Sequence, residues 1–146
     1  MFKIGNVEIK EKVILAPMAG ETHIALRKIA KEMGVSLTYT EMTSNVGLKY
    51  NSERTLEYAK IEKEEGIVAL QIFGGEIEDY VAAAKFYDKN SNAAIIDINM
   101  GCPVQKVAIK SNAGSSLVKD ANKVGEIVKK VSRAIKKPLT IKIRIG

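Results

Sequence analysis

Apolar residues follow two rhythms along this chain. One is the short, nearly all-apolar run: Val13-Ile14-Leu15-Ala16, Ile67-Val68-Ala69-Leu70-Gln71-Ile72-Phe73 and Ala93-Ala94-Ile95-Ile96-Asp97-Ile98, with the alternating Leu139–Ile145 as a fifth strand. Such runs, rich in β-branched residues, predict strands buried on both faces, the condition of a parallel sheet. Ser36–Thr40 reads as a further strand, second in the order of five. The other rhythm is the stripe at helical spacing. Leu26, Ile29, Ala30 and Met33 form one such stripe, Ile77, Tyr80, Val81 and Ala84 a second, and Val124, Ile127, Val128, Val131 and Ile135 a third. Thr22 and Asp120 stand where an N-cap belongs, Gly34 where a helix stops, and Pro138 blocks continuation of the last helix. Phe2–Ile4 and Val7–Ile9 around Gly5-Asn6 predict a hairpin. The stretch 41–65 is less periodic. Ser44 and Asn45 can start a short helix there, and Glu62-Lys63-Glu64-Glu65 reads as a solvated surface.

Strand followed by helix, repeated four times and closed by a strand, predicts a parallel α/β sheet. Five strands can make a small doubly wound sheet or the opening part of an eight-stranded barrel, which needs about 250 residues. A final strand running to the last residue without a covering helix favours the barrel. The expected fold is therefore the N-terminal part of a TIM (β/α)8 barrel, with about five parallel strands and four intervening helical segments. Residues 1–146 would form one partial domain.

Composition narrows the class. Of the 146 residues 46% are hydrophobic and 27% charged, a globular balance. No apolar stretch approaches the roughly 20 residues that span a bilayer. One cysteine and one histidine argue against a disulfide framework and a zinc site, so no metal is expected, and a reducing cytoplasm suits the chain. The net charge of +6 is uneven: residues 98–146 carry eleven Lys and Arg against Asp120 and Glu126, while residues 1–97 are slightly acidic. A basic surface of this kind draws polyanions. Equally, Lys129, Lys130, Arg133, Lys136 and Lys137 lie near a helix C-terminus, where cations favour the dipole.

Candidate chemistry lies where the predicted strands end, because parallel α/β sheets gather their strand ends on one face. Those ends are Pro17-Met18-Ala19-Gly20, Glu41-Met42, Gln71-Ile72-Phe73-Gly74, Asn99-Met100-Gly101-Cys102 and Lys142-Ile143-Arg144. They hold no Ser/His/Asp triad, since the sole histidine, His23, falls in an early loop, and no glycine-rich phosphate loop. An amide, a cation and a thiol around small residues remain, a set able to hold a flat, oxygen-rich heterocycle. Each has a plainer use: Gln71 as a partner for strand-end backbone, Lys142 as a solvent-facing charge, Cys102 as a small buried hydrophobe. A thiol can also act as a nucleophile when a cation lowers its pKa, and Lys106 and Lys110 follow closely.

Ala16-Pro17-Met18-Ala19-Gly20, Gln71-Ile72-Phe73-Gly74, Asn99-Met100-Gly101-Cys102-Pro103, Asn112-Ala113-Gly114-Ser115 and Lys142-Ile143-Arg144 together resemble the ordered motifs of tRNA-dihydrouridine synthases. The resemblance spans the chain and covers the first part of that family's FMN-binding barrel. The later strands, phosphate-binding loops and helical domain have no counterpart. It implies reduction of the C5=C6 bond of particular uridines in tRNA, with NADPH recharging FMN. Pro17, Met18 and Ala19 would lay their backbone along the flavin, Gln71 would bond its pyrimidine portion, and Lys142 would sit near N1 and O2 to stabilise the reduced ring. Asn99 would help place flavin and uracil, with Lys106 and Arg144 also on the tRNA side. Flavin N5 would give hydride to C6 and Cys102 a proton to C5. An ordinary thiol, titrating near pH 8.5, holds that proton at neutral pH. Glu21 and His23 depart from the family pattern, and His23 reads as a helix-start residue. A flavoprotein dehydrogenase acting on a free pyrimidine of the dihydroorotate type is the alternative enzyme, and a catalytically incomplete RNA-binding fragment the alternative class.

Overall fold

The computed structural model describes residues 1–145. The hairpin forms as expected: β1 (Phe2–Ile4) pairs antiparallel with β2 (Val7–Ile9), and Gly5 makes the turn at φ +58°, against Pro138. A parallel sheet follows, built from β3 (Thr38–Tyr39), β4 (Thr43–Ser44), β5 (Val68–Phe73), β6 (Ile95–Asn99) and β7 (Leu139–Lys142). Its order is β3–β5–β6–β7, with β4 also on β5 and a single parallel bridge from Ile14 to Leu37 at the β3 side. Chain order and spatial order coincide. Among the described residues the sheet has no reversal of strand order of the kind that defines a doubly wound sheet, and it is compatible with part of a barrel.

Both central strands are covered on two faces, which is why their sequences are almost wholly apolar. Val68, Leu70, Ile72, Ile96 and Ile98 pack on α4 (Ile77–Asn90) and α6 (Ala121–Ala134) through Tyr80, Ala84, Tyr87, Ile127 and Val131. On the opposite face Ala69 and Ile95 meet Leu37 and, from the hairpin, Ile9. The hairpin therefore closes the lower end of that face, and the residues one step further along the strands (Gln71, Asp97, Asn99, Thr140, Lys142) are polar. Side chains alternate faces along a strand, so this polar group shares the inner face with the apolar floor beneath it.

Several sequence expectations need correction. Val13–Ala16 is not a buried strand: it makes one bridge, and Val13 and Ile14 are exposed because the segment lies at the sheet edge. Thr22 does not cap α1 (Ile24–Glu32). His23 does, accepting from the Leu26 N–H, while the Thr22 hydroxyl turns back to Met18. Ser36–Thr40 is reduced to β3, and the fourth strand runs 95–99 rather than 93–98. The last strand ends at Lys142, not Ile145, because its partner β6 gives way to the Gly101–Pro103 turn. Glu62–Glu65 is not all solvated. Glu65 is buried in an ion pair with Arg27, which also bonds the carbonyls of Thr22 and Lys60 and so ties α1 to the entry of β5.

Other expectations hold. Asp120 caps α6 through the Lys123 N–H, Gly34 follows α1 at φ +90°, and Ser44 caps α2 (Asn45–Lys49). A second short helix, α3 (Glu53–Tyr58), completes that connection, and α5 (Gln105–Ala108) and a 3-10 segment (Gly114–Lys119) precede α6. One basic residue of the C-terminal third is structural: Lys137 Nζ bonds the carbonyls of Tyr87 and Ser91 at the end of α4. No helix among the described residues is long and apolar enough to cross a membrane.

Candidate active site

A cavity of about 320 Å³ lies at the upper ends of the parallel strands. Pro17 and Ala19 border it from the loop after the edge segment, Met42 from the break between β3 and β4, and Gln71 from β5. Asn99, Gly101, Cys102 and Pro103 enter from β6 and its turn, Lys142 and Arg144 from β7 and beyond. β5, β6 and β7, the β3–β4 break and the loop after the edge segment all contribute, so this is where the fold converges.

A continuous hydrogen-bond chain crosses three strands behind the cavity. Thr140 Oγ1 donates to Asp97 Oδ1 (2.6 Å) and Gln71 Nε2 to Asp97 Oδ2 (2.7 Å). Asn99 Nδ2 donates to Gln71 Oε1 (2.9 Å), and Asn99 Oδ1 accepts the N–H groups of Gly101 (3.2 Å) and Cys102 (2.9 Å). The sheet register makes this possible, pairing Gln71 with Asp97 and Asp97 with Thr140 directly. Burial raises the pKa of the Asp97 carboxyl, opposed by the bonds from Thr140 and Gln71 and by the charge of Lys142. Lys142 itself makes no salt bridge among the described residues, leaving a cation at the cavity wall.

The Cys102 turn is held from three directions. Beyond the Asn99 bond, the Ser115 N–H donates to the Cys102 carbonyl (2.9 Å), and Arg144 Nε donates to the carbonyl of Gly101. Gly114, at φ +56°, passes so close that a Cβ there would stand 2.5 Å from the Cys102 oxygen. The Asn112-Ala113-Gly114-Ser115 stretch thus cradles the thiol-bearing turn, and only glycine admits that approach.

The loop Pro17–Gly20 is fastened at both ends. Thr22 Oγ1 donates to the Met18 carbonyl (3.0 Å) and lies 3.2 Å from the Met18 N–H it accepts, and the buried Glu41 carboxylate accepts from the Gly20 N–H (2.6 Å). Glu41 and Met42 fall where the register slips by one residue: Tyr39 pairs with Ala69, but Thr43 pairs with Ile72. This is a bulge. The threonines flanking it repair the ladder, Thr40 Oγ1 accepting from the Gln71 N–H (3.1 Å) and Thr43 Oγ1 donating to the Gln71 carbonyl (3.0 Å). Gln71 is thereby anchored through its backbone by side chains and through its own amide by Asp97 and Asn99.

The family model described as dihydrouridine synthase matches residues 14–146. The chain belongs to the dihydrouridine synthase family. Among curated relatives it is 33% identical over 146 residues to a probable tRNA-dihydrouridine synthase of Rickettsia bellii (strain RML369-C), covering 100% of this chain and 44% of that protein. It is 40% identical over 144 residues to tRNA-dihydrouridine synthase B of Proteus vulgaris, covering 99% and 44% respectively. With tRNA-dihydrouridine synthase B of Vibrio vulnificus (strain CMCP6) the identity is 39% over 144 residues, again 99% of this chain and 44% of the relative. The chain spans less than half the length of these relatives.

Of the residues that the dihydrouridine synthase motifs single out, Pro17, Ala19, Gln71, Asn99, Cys102, Lys142 and Arg144 all line the one cavity. Met18 lies in the same loop, 41% exposed and outside the lining. Lys106 sits exposed on α5, also outside it. Gln71 does not spend its side chain on strand-end backbone, and Lys142 does not lie on the helix-covered face. Asp97 and Thr140 carry no local signal of a site, since Asp97 sits inside an apolar run. Period-two alternation would have found them: residues 97 and 99 share a face, as do 140 and 142.

Proposed function

We propose that this chain carries the core of a flavin-dependent site that reduces uridine in tRNA to 5,6-dihydrouridine, NADPH being the reductant. The observation that carries this reading is the convergence of Cys102, Asn99, Gln71 and Lys142 on one cavity in a member of this family. The donor set fits the ring of FMN. A wall cation without a salt bridge, two side-chain amides and the fastened backbone of Pro17–Gly20 are suited to a flat heterocycle whose edge bears oxygens and nitrogens. Bound there, FMN would supply the hydride for C6 of the uracil. Lys142 would hold positive charge near the pyrimidine edge of the ring, and Asn99 would orient the base. Cys102, presented on a turn fixed at both its N–H and its carbonyl, would donate the Sγ proton to C5. The exposed Lys106 and the rest of the basic C-terminal third would draw the polyanion. The fold fits the N-terminal part of a barrel whose remaining strands would complete the cofactor's surroundings.

The test is turnover by full-length protein given NADPH and, separately, unmodified tRNA, free uracil and dihydroorotate. Dihydrouridine in tRNA alone is expected, and turnover of a free pyrimidine alone would replace this reading with the dehydrogenase one. Cys102→Ala should keep NADPH oxidation by bound flavin while losing dihydrouridine formation about a hundredfold or more, the scale of a lost general acid. Unchanged product formation removes Cys102 as the proton donor.

A further inference from the structure

The amides of Gln71 and Asn99 are each two-ended, and their shape alone does not decide which end is oxygen. The neighbours decide. At one end of the chain stands Asp97, whose carboxylate, when ionised, only accepts; Thr140 takes one oxygen, so the other requires a donor. At the far end stand the N–H groups of Gly101 and Cys102, which only donate. Between a fixed acceptor and fixed donors, one orientation of the two amides satisfies every contact. The reverse would set lone pairs against lone pairs at Asp97 and N–H against N–H at Cys102. Asp97 and Gln71 are each 1% exposed and Asn99 8%, which leaves little water to mend a mismatch.

We propose that Asp97 is the positioning residue of this site: it sets the direction of the amide chain, and through Asn99 it fixes both the Cys102 turn and the N–H edge shown to the cavity. The second hydrogen of Asn99 Nδ2 has only the Met42 sulfur at 3.8 Å as a partner, a weak acceptor that a ligand oxygen or ring nitrogen would displace. Lys142 and Arg144, on the same cavity, also only donate. The ligand edge that meets Asn99 must therefore be an acceptor. Tyr39 and Lys142 are the other ionisable groups felt by Asp97; an ammonium has no lone pair to offer, and Gln71 Nε2 bonds Asp97 rather than the Tyr39 phenol. The orientation stands on geometry alone, whereas its bearing on substrate rests on the proposed function.

Moving the charge from one end of the chain to the other tests this. Asn99→Asp leaves Gln71 between two carboxylates with one N–H end to offer. Adding Asp97→Asn lets Gln71 turn round, so that residue 99 accepts from Gln71, Gly101 and Cys102 while residue 97 donates to Gln71 and accepts from Thr140. In full-length protein without tRNA, Asn99→Asp should lower the melting temperature by about 5–10 °C and speed iodoacetamide labelling of Cys102 about tenfold, since a loosened turn exposes the thiol. The double variant should recover most of both. Additive losses in the double variant overturn the proposal. If Asn99→Asp does not fold, recovery of folded protein in the double variant is the same supporting result, and failure of both overturns it. Dihydrouridine formation should not recover, because the edge facing the ligand has turned from donor to acceptor; near-wild-type product in the double variant would refute that part. A wild-type protein that labels and melts as described but makes no dihydrouridine refutes the proposed function and leaves the positioning role standing.

Discussion

Replacing Gly114 by alanine probes the cradle of Cys102 with one methyl group. At φ +56° an alanine meets the steric penalty of the left-handed region, about 1–2 kcal/mol. Its Cβ would also stand 2.5 Å from the Cys102 oxygen and 3.0 Å from Val107 Cγ1, the first roughly 1 Å inside a comfortable contact of about 3.5 Å. Backbone must move, and the Ser115 N–H bond to that same oxygen goes with it, a further 0.5–1.5 kcal/mol or about that. The sum is about 1.5–3.5 kcal/mol, which for a domain of this size lowers the melting temperature by about 5–15 °C. Thermal unfolding followed by circular dichroism measures it, with two internal controls. Gly20→Ala keeps the positive φ (+82°) but meets no atom within 4 Å, so it should lose only the strain. Gly125→Ala, inside α6 with open space around it, should gain about 0.5–1 kcal/mol. Misplacing the Cys102 turn by about 1 Å should also cut dihydrouridine formation about a hundredfold. If Gly114→Ala melts no lower than Gly20→Ala, the close approach does not constrain the Cys102 turn.

The buried Arg27–Glu65 pair should behave as a joint: Arg27→Met strands a carboxylate and costs about 3–5 kcal/mol, and adding Glu65→Leu should return much of it, read by urea titration. Tyr80→Phe removes the hydroxyl that both donates to the Gly74 carbonyl (2.7 Å) and accepts its N–H (3.0 Å), and should cost about 2 kcal/mol in the same assay; a loss below about 0.5 kcal/mol would mean water replaces it. Burial dominates the Asp97 carboxyl and raises its pKa, so the folded protein holds that proton more tightly than the unfolded chain. Its contribution is full below the unfolded pKa of about 4 and is lost as pH rises through the raised folded value. The melting temperature of wild type minus that of Asp97→Asn should therefore fall as pH rises from about 4 toward neutral, and a difference that grows would overturn the assignment.

Sequence periodicity served well where the local pattern and the tertiary environment agree. β5 and β6 were legible because a strand covered on both faces has little freedom in composition. It misjudged Val13–Ala16, whose residues resemble those of β5 but lie at the sheet edge, and edges are properties of neighbours rather than of runs. Thr22 has the chemistry of a cap, yet Met18 competes for its hydroxyl from four residues upstream, and His23 inherits the cap. Glu65 sits in a charge run whose average is solvated, but its partner is thirty-eight residues away. The cavity residues were largely legible because parallel strand ends converge by topology. The chain behind them was not, since linking Gln71, Asp97 and Thr140 requires the register of three strands.

The bulge between β3 and β4 carries a warning for anyone who would engineer this protein. At Thr40 a side chain stands in for a main-chain carbonyl, so the sheet's continuity at Gln71 depends on residue identity there and not on backbone alone. Thr40→Val preserves shape and keeps strand propensity high, and a scoring scheme built on volume and propensity would welcome it. The exchange would nonetheless orphan the buried N–H of Gln71, and a sheet-stabilising library should hold Thr40 and Thr43 constant.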